Sequence, residues 1–576
     1  MAEKIISPNV FITETNKNIV SRGNIETGAA VVGPTVKGDP LVPTIVTSYS
    51  EYVSKFGDKF KSGSQYYEYF TSFTAKEYFD NGGRSLLVTR IVSGSNYSSY
   101  ASSSLPSYSS TGSNSIVLES LHFGVGFNNS SSLSSNGALT LGTADNFRWE
   151  VSDVNTSAGT FTLLIRSGND LTSNKNILET WPNLSLDPQQ ANFVSRVIGD
   201  QKLSYVSDDD GYIQYEGNYP VSSEYVRVKS ISTYHIDSLD NEGIFKASIY
   251  SGSLPALGSG SLGGAFNGGV VDTDRAGYFF ENILQSSTNS QGFVADDYTP
   301  AFNLLSNKDQ FDFDLLFVPG LFLGANANVN TVIPVSLCES RGDAFCIMDP
   351  VASDGTKTQA KAAKAASNSS YGAGYWSWQQ IYSANLGKLV YVPGSVVAAG
   401  AFAFNDRVGQ KWFAPAGLGR GDLSSVVRPA RILSTNDRND LYSANINPIQ
   451  YFPNEGVKIW GQKTFQTQDI ATNRINVRRL LIDLKRFVGR ESRKLVFEGN
   501  DNATRNSFLS TVNPYFETVK QKRGLYVYTV IMDDTNNTGD VIDRQQLKGQ
   551  IVIKPIKTAE FIMIDFTLDP TGITIF

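Results

Sequence analysis

The sequence predicts a multidomain protein of the α/β and α+β classes, with a split α/β core domain, an inserted β-rich domain and a C-terminal α/β domain. Three observations lead to this prediction. The chain has 576 residues, which corresponds to about three to five domains of ~150 residues each. Apolar runs alternate with helical patterns, as in a sheet covered by helices. The composition changes abruptly at Ser93, where a Ser-, Asn- and Gly-rich stretch begins.

The core domain is expected to come from two separate segments, 28–95 and 301–454. In the first, "TGAAVVGPTVKGDPLVPTIV" predicts two strands joined by a Gly/Pro loop, "YEYFTSFTAKEYFDNGG" a helix, and "SLLVTRIV" a buried strand. The second contains the strand patterns "FDFDLLFVPG", "AFCIMDP" and "KLVYVPG", with helices at 329–341 and in "TQAKAAKAA". Because strand and helix patterns alternate in both segments, we interpret them as one domain that an insertion divides.

The inserted domain is expected at 96–300, where short alternating strands such as "FTLLIR" and "YVRVKSI" lie between Ser/Asn/Gly loops. A C-terminal domain is expected at 455–570. Its main helix lies in "NRINVRRLLIDLKRFVGRESRK", a second helix lies around 505–521, and "LYVYTVIMD" and "GQIVIKP" are strand patterns.

The two ends of the chain, 1–27 and 571–576, are expected to be arms. "PNVFITE" and "TGITIF" are strand patterns without an obvious internal partner, and an unpaired strand leaves backbone hydrogen bonds unmade. Donation to a neighbouring sheet would satisfy them. Pairing of both ends within their own C-terminal domain is an equally good interpretation of the pattern.

The charge is distributed unevenly along the chain. The net charge of −6 gives no global attraction to nucleic acid. Residues 455–576 carry 18 basic and 14 acidic residues (+4), whereas the remainder carries 31 basic and 41 acidic (−10). An acidic partner is therefore expected for the C-terminal part.

The main C-terminal helix has a basic face opposite an apolar one on a helical wheel. The apolar residues are Val477, Leu480, Leu481, Leu484, Phe487 and Val488, and the basic ones are Arg478, Arg479, Lys485, Arg486 and Arg490. This pattern is typical of a solvated helix face, and it also suits docking on an acidic protein surface. A nucleic-acid partner is the weaker hypothesis, because aromatic residues are not interleaved with the basic ones.

Signatures of catalysis are not found. The glycines 258, 260 and 263 match G-x-G-x-x-G, but their Gly/Ser/Ala surroundings predict a flexible loop and not a dinucleotide site. His122 and His235 have no metal-ligand partner at helical or strand spacing. Cys338 and Cys346 are interpreted as reduced residues of the core. Two Arg-Gly-Asp triplets, at 341–343 and 420–422, are attributed to chance. We therefore expect no enzyme activity, no cofactor and no metal.

Ten segments, in order along the chain, resemble the contractile tail sheath proteins of phages and related injection machines. They are "SPNVFITET", "TGAAVVGPTVKGDP", "EYVSKFGD", "NGGRSLLVTRI", "SRGDAFCIMDP", "VPGSVVAAGAFAFNDRVGQKWFAPAG", "NEGVKIWGQKTF", "INVRRLLIDLKRFV", "VFEGND" and "GQIVIKPIKTAEFIMIDF". The resemblance covers roughly 1–95 and 310–576, and the 96–300 insertion has no matching family pattern.

The resemblance implies a structural subunit that polymerises helically, commonly in stacked sixfold rings, around an inner tail tube. Contraction then drives the tube through the host cell envelope for genome delivery without consuming nucleotide. The implied partners are further copies of the chain, the inner tube protein, and baseplate and tail terminator proteins, with neither nucleic acid nor membrane insertion. The implied location is the virion tail sheath, assembled in the host cytoplasm.

The resemblance also assigns roles to individual residues. It implies that the arms add strands to the C-terminal domains of neighbouring subunits, and that the basic helix faces the tube. The implied arm residues are Val10, Phe11 and Ile12 at one end and Ile573, Ile575 and Phe576 at the other, and the implied tube-facing residues are Arg478, Arg479, Lys485, Arg486 and Arg490.

Two other functions stay open at this point. One is the sheath of a non-viral contractile injection system, either a tailocin or a toxin-delivery device, which neighbouring genes would distinguish from a phage. The other is a carbohydrate-acting or adhesive surface enzyme that uses the insertion, which would require a carboxylate pair in a cleft.

Overall fold

The computed structural model describes most of the chain between residues 28 and 560. The described residues are 28–62, 65–92, 98–108, 113–129, 132–135, 137–144, 146–207, 211–232, 254–267, 295–323, 333–353 and 355–560, together with Glu242, Gln291 and Phe293. The predicted arm residues Val10, Phe11, Ile12, Ile573, Ile575 and Phe576, and also His235, lie outside the described residues.

The strands are β1 (Ala29–Gly33), β2 (Thr44–Val46), β3 (Lys59–Ser62), β4 (Gln65–Glu68), β5 (Leu86–Arg90), β6 (Ser98–Pro106), β7 (Asn114–Phe123), β8 (Phe147–Asn155), β9 (Thr160–Ser167), β10 (Ile177–Ser185), β11 (Lys202–Val206), β12 (Tyr212–Glu216), β13 (Val226–Ile231), β14 (Gly258–Ser261), β15 (Phe266–Asn267), β16 (Leu315–Phe322), β17 (Phe345–Asp349), β18 (Gly372–Trp376), β19 (Gln379–Ser383), β20 (Lys388–Val392), β21 (Val426–Pro429), β22 (Asn447–Phe452), β23 (Gly456–Ile459), β24 (Leu525–Ile531) and β25 (Gln550–Pro555).

The helices are α1 (Tyr49–Phe56), α2 (Phe70–Asp80), α3 (Val194–Ile198), α4 (Thr299–Leu305), α5 (Ile333–Arg341), α6 (Lys357–Lys364), α7 (Gly394–Val408), α8 (Gly417–Arg420), α9 (Thr435–Ser443), α10 (Ile475–Arg493), α11 (Asn502–Gln521) and α12 (Gly539–Asp543).

The largest sheet, called the central sheet below, has the strand order β2-β5-β1-β16-β17-β18-β22-β23. Its six inner strands run parallel, and β2 and β23 close the two edges antiparallel. Strands β1, β5, β16, β17 and β18 are buried along their whole length. A parallel sheet that is covered on both faces favours mainly apolar strands, as in the runs "LLV" of β5 and "FCIM" of β17. The polar residues that follow, Thr89, Arg90 and Asp349, are buried as well.

Strands from distant parts of the sequence meet in this sheet, because Ala29 of β1 lies opposite Leu315 of β16. Helices α2 and α7 pack on each other over the sheet. Gly400 of α7 permits this contact, since a Cβ atom there would lie 2.7 Å from the Asn81 side-chain amide.

The strand predicted from "KLVYVPG" is present as β20, but it lies outside the central sheet. It belongs to a separate three-stranded antiparallel sheet with the order β20-β19-β21.

The middle of the chain forms two four-stranded antiparallel sheets, β10-β9-β8-β14 and β13-β7-β6-β15. The two sheets share one apolar core, and the Trp149 indole N–H of one donates to the Ser103 hydroxyl of the other at 2.8 Å. The hairpin β11–β12 contributes Tyr205 and Ile213 to the edge of the central-sheet core.

The expectation of a flexible loop around glycines 258, 260 and 263 is wrong for the first two, since Gly258–Ser261 is strand β14, paired with β8. A Cβ atom on Gly260 would lie 2.5 Å from the Trp149 ring. The glycine therefore serves close packing of an edge strand over an aromatic residue.

The C-terminal part contains the helices α10 and α11 and the antiparallel pair β24–β25, called the C-terminal ribbon below. Their shared core includes Leu484, Phe508, Val512 and Phe516, and Trp412 joins it from the preceding part of the chain. The predicted mixed α/β fold with several sheets is confirmed, whereas the exact domain boundaries and the arms stay predictions.

Candidate functional site: helix α10 and the C-terminal ribbon

Helix α10 lies between two layers of the molecule. Ile475 and Ile482 pack into the core of the central sheet, whereas Leu480 and Leu484 pack into the C-terminal core. Straight-chain residues fill much of the helix and favour it, and Arg490 and Arg493 in the last turn complement its dipole. We call the contacts that α10 makes with the central-sheet part of the chain the junction.

A buried ion pair lies at the centre of the junction. The Arg479 guanidinium donates two hydrogen bonds to the two Asp406 carboxylate oxygens, at 2.9 and 2.6 Å. The same guanidinium lies 5.1 Å from the centre of the Phe402 ring. Both partners belong to α7, so this pair ties α10 to a helix that covers the central sheet.

Two neighbouring cations of α10 contact one aromatic residue. The Arg478 guanidinium lies 4.2 Å from the centre of the Tyr371 ring and donates to the Ser370 hydroxyl. The Lys485 ammonium donates to the Tyr371 hydroxyl at 3.2 Å. Arginine is suited to such burial because its planar group stacks on rings and is weakly hydrated.

The outer end of the junction is a crevice lined by charged groups. Arg486 pairs with Asp312, and Lys411 pairs with the buried Asp314 carboxylate at 2.9 Å. Burial alone would raise the pKa of Asp314, but the cations Lys411, Arg479 and Arg486 together hold it below its usual value. Asp314 is therefore ionised inside the fold.

The structure separates the five predicted basic residues into two groups. Arg478 and Arg479 are buried and Arg486 is half-buried, and all three make contacts within the chain. Lys485 and Arg490 are exposed, although Lys485 also donates to the Tyr371 hydroxyl. The interpretation of the whole basic side as a solvated face is therefore wrong for the first three. The helical wheel reveals one apolar face of α10, but the helix buries part of its basic face as well. Long cationic side chains can line a buried face when carboxylates and aromatic rings interact with their charged groups.

The C-terminal ribbon is the other candidate site. Tyr528 and Val530 of β24 and Ile551 and Ile553 of β25 pack toward the C-terminal core. Neither strand pairs with a third strand among the described residues. Within the described part of the chain, no third strand occupies either edge of the ribbon, and a sheet edge of this kind can accept a further strand.

Glu560 anchors the last described residues to the rest of the chain. Its carboxylate accepts hydrogen bonds from the Arg474 guanidinium at 2.6 Å, from the Gln462 amide at 3.0 Å and from the Tyr442 hydroxyl. Burial raises the pKa of this carboxyl, but Arg474 and Tyr442 outweigh burial and leave the pKa lowered. The role of Glu560 could not be predicted from the sequence, because "KTAEF" contains no local signal of distant partners.

The remaining sequence features have structural roles where they are described. Arg341 of the first Arg-Gly-Asp triplet is buried and pairs with Asp343 at 2.9 Å. Cys338 and Cys346 are buried free thiols, as predicted, and His122 lies 3.4 Å from Asp39.

Neither a metal-ion cluster nor a membrane-spanning helix is found in the described part of the chain. No group of three or more His, Cys, Asp or Glu side chains suited to a metal ion occurs among the described residues. None of the helices described is both long and apolar enough to cross a bilayer.

Comparison with known proteins identifies the two layers that α10 joins. Residues 292–465 match the phage tail sheath protein central domain, and residues 467–569 match the phage tail sheath C-terminal domain. The junction thus lies between these two matched regions.

The curated relatives include two phage proteins named tail sheath protein. The chain is 39% identical over 181 residues to that of Vibrio phage KVP40, which is 31% of this chain and 27% of the relative. It is 36% identical over 182 residues to that of Enterobacteria phage T4, which is 32% of this chain and 28% of the relative. The matched segment thus spans less than a third of the length of either relative.

Among solved structures, the crystal structure of a sheath tail protein from Listeria innocua aligns with a TM-score of 0.51 at 10% identity. The alignment covers 92% of this chain and 95% of that one, which shows a shared fold. The two domain matches confirm the predicted resemblance to contractile tail sheath proteins, whose central and C-terminal domains residues 292–465 and 467–569 match in tandem.

Proposed function

We propose that the chain is the structural subunit of a contractile tail sheath. It polymerises helically around an inner tail tube and contracts to drive the tube through the host cell envelope for genome delivery. Its partners are further copies of itself, the tube protein, and baseplate and tail terminator proteins. It performs no catalysis, and its location is the tail of the virion.

The observation that carries this proposal is the C-terminal ribbon. A two-stranded sheet is marginal by itself, and this one has both edges unpaired within the described residues. The segments with the strand patterns 8–14 and 571–576 supply strands of suitable length. Residues Val10, Phe11, Ile12, Ile573, Ile575 and Phe576 are proposed to pair with the ribbons of neighbouring copies.

Strand donation suits a contractile assembly for a physical reason. Main-chain hydrogen bonds at a sheet edge depend little on side chains and tolerate rotation of the domains they connect. The central-sheet parts of neighbouring copies can then repack while the chains stay linked.

The tube-facing surface is proposed to include Lys485 and Arg490, the two exposed cations of the predicted set. Exposed ion pairs contribute about 0–1 kcal/mol each, so several of them can position a tube and still release it. Arg478, Arg479 and Arg486 act at the junction in this proposal, so reversing their charge would test folding and not tube binding.

Electron microscopy of the purified chain tests the proposal. The full chain should form tubes, and a variant that lacks residues 571–576 should stay unassembled while keeping the circular dichroism of the full chain. Normal contractile tubes from the shortened variant would show that this strand is internal to its own subunit.

The tube contact has a separate test. Lys485→Glu with Arg490→Glu should abolish co-assembly with the tube protein but leave sheath self-assembly intact. Arg493→Glu is the matched control, because Arg493 is an exposed cation of the same helix that pairs with Asp309. Unchanged tube binding by the double variant would contradict the assignment.

A non-viral contractile injection device is the second candidate function. The fold is equally compatible with a tailocin or a toxin-delivery device, since the sheath acts in the same way in each. Capsid and terminase genes beside this one would identify a phage, and toxin genes without a capsid would identify a device.

A further inference from the structure

The outer face of the C-terminal ribbon is an exposed apolar strip. Tyr526, Val527 and Val552 are each more than half exposed, at 54%, 58% and 53%. They lie on the side opposite Tyr528 and Val530, which face the core. Lys554 lies opposite Val527 and Thr529 lies opposite Val552, so the strip also contains polar side chains. Exposed apolar residues grouped on one sheet face are typical of an interaction surface.

One end of this ribbon is basic. Helix α11 ends at Gln521 and leads into β24 at Leu525, so Lys522 and Arg523 lie where the ribbon begins. Strand β25 returns to the same place, because the Ile556 backbone N–H donates to the Gly524 carbonyl at 3.1 Å. The basic end comprises Lys522, Arg523, Lys554 and Lys557, all exposed and none in an ion pair with another described residue.

The opposite end of the ribbon is acidic. The connection from β24 to β25 carries four carboxylates, and the loop before α11 adds two more because the Asn500 amide donates to the Gln546 carbonyl at 2.8 Å. The acidic end comprises Glu498, Asp501, Asp533, Asp534, Asp540 and Asp543, accompanied by the three cations Arg505, Arg544 and Lys548. The acidic end therefore keeps an excess of negative charge.

Helix α11 sets the distance between the two ends. It has 20 residues, which corresponds to about 30 Å at 1.5 Å per residue. Its N-cap Asp501 lies at the acidic end and its C-cap Lys522 at the basic end. The helix dipole accounts for charges at its own termini, but Lys554, Lys557 and Asp543 are not on this helix.

We infer that the ribbon is a head-to-tail docking surface for a second copy of the chain. The basic end of one copy contacts the acidic end of the next, and the apolar strip between them is covered in the contact. Such a contact uses two different patches of one chain, so it does not close on itself and continues into a filament or ring. This inference rests on the proposed polymerisation and names the surface that directs it.

Paired charge reversals test the inference in the full chain. The basic-end variant is Lys522→Glu with Arg523→Glu and Lys554→Glu, which changes the charge of that end from +4 to −2. The acidic-end variant is Asp540→Lys with Asp543→Lys, which changes the charge of the other end from −3 to +1. Each alone should raise the concentration needed for assembly at least about tenfold, because like charges would meet at the contact. An equimolar mixture of the two should assemble close to the native concentration, since copies with two acidic ends can alternate with copies that have two basic ends.

The control is Lys308→Glu with Lys361→Glu, which reverses two exposed lysines away from the ribbon and should leave assembly unchanged. If the native chain assembles and both ribbon variants assemble equally well, the inference is overturned while the proposed function stands. The inference is also overturned if the mixture fails to assemble although both variants unfold at the same urea concentration as the native chain. A native chain that never assembles counts against the proposed function itself.

Discussion

Replacement of Arg479 by alanine tests whether the junction holds the two family domains together. The Arg479 side chain is 3% exposed and its partner Asp406 is 23% exposed. Removing one member of a buried pair costs about 3–5 kcal/mol. Because water reaches Asp406, we take the lower end, about 3 kcal/mol, as the expected loss in the free energy of opening α10.

Hydrogen exchange of the α10 backbone amides measures this opening directly, and it does not require the whole chain to unfold in one step. A loss of about 3 kcal/mol corresponds to roughly a hundredfold faster exchange in residues 475–493. A cycle with Asp406→Ala and the double variant isolates the contribution of the pair.

The matched control is Arg493→Ala, in the same helix. Arg493 and Asp309 form a pair at 2.7 Å in which both side chains are mostly exposed, and such pairs contribute less than about 1 kcal/mol. If Arg479→Ala accelerates exchange no more than Arg493→Ala, the buried pair does not secure the junction and the reasoning is refuted.

Three further predictions concern other parts of the chain. Burial raises the pKa of Glu77 to about 7, so the folded state holds its proton more tightly than the unfolded state does. The stability of the native chain should therefore fall as the pH rises from about 4.5 to 7 and stay constant above pH 7. Between pH 5 and 8, the urea midpoint of the Glu77→Gln variant should fall less than the urea midpoint of the native chain. Gly199 has φ 102°, and a Cβ atom added to it would lie 2.2 Å from the Val221 Cα atom. Gly199→Ala should therefore destabilise the insertion by about 1–3 kcal/mol. The control is Gly126→Ala, where the added Cβ atom meets open space, and it should leave the urea midpoint almost unchanged. Glu560→Gln should increase hydrogen exchange at 557–560 at pH 7, and the difference from the native chain should shrink as pH falls below the lowered pKa of Glu560.

Much of the fold follows from local patterns. The runs that became β5, β16 and β17 could be predicted because a strand in a covered parallel sheet is apolar on both sides. The helix predicted around 505–521 is α11 at Asn502–Gln521. Strand order could not be predicted, since β1 and β16 are adjacent in space but separated by an insertion of about two hundred residues.

The candidate site was only partly predictable. The sequence identified α10 and its cations, but it could not show that Arg478 and Arg479 are buried. Their partners Tyr371 and Asp406 lie far away along the chain, and a helical wheel contains no information about such partners. Gly260 was misread for a related reason, because its close neighbour Trp149 lies on another strand.

A cryo-EM reconstruction of tubes assembled from the full chain tests the central claim most directly. We expect the sheet containing β24 and β25 to gain segments 8–14 and 571–576 as strands, and each added strand to belong to a different copy. A reconstruction in which both segments pair within their own chain would contradict this prediction.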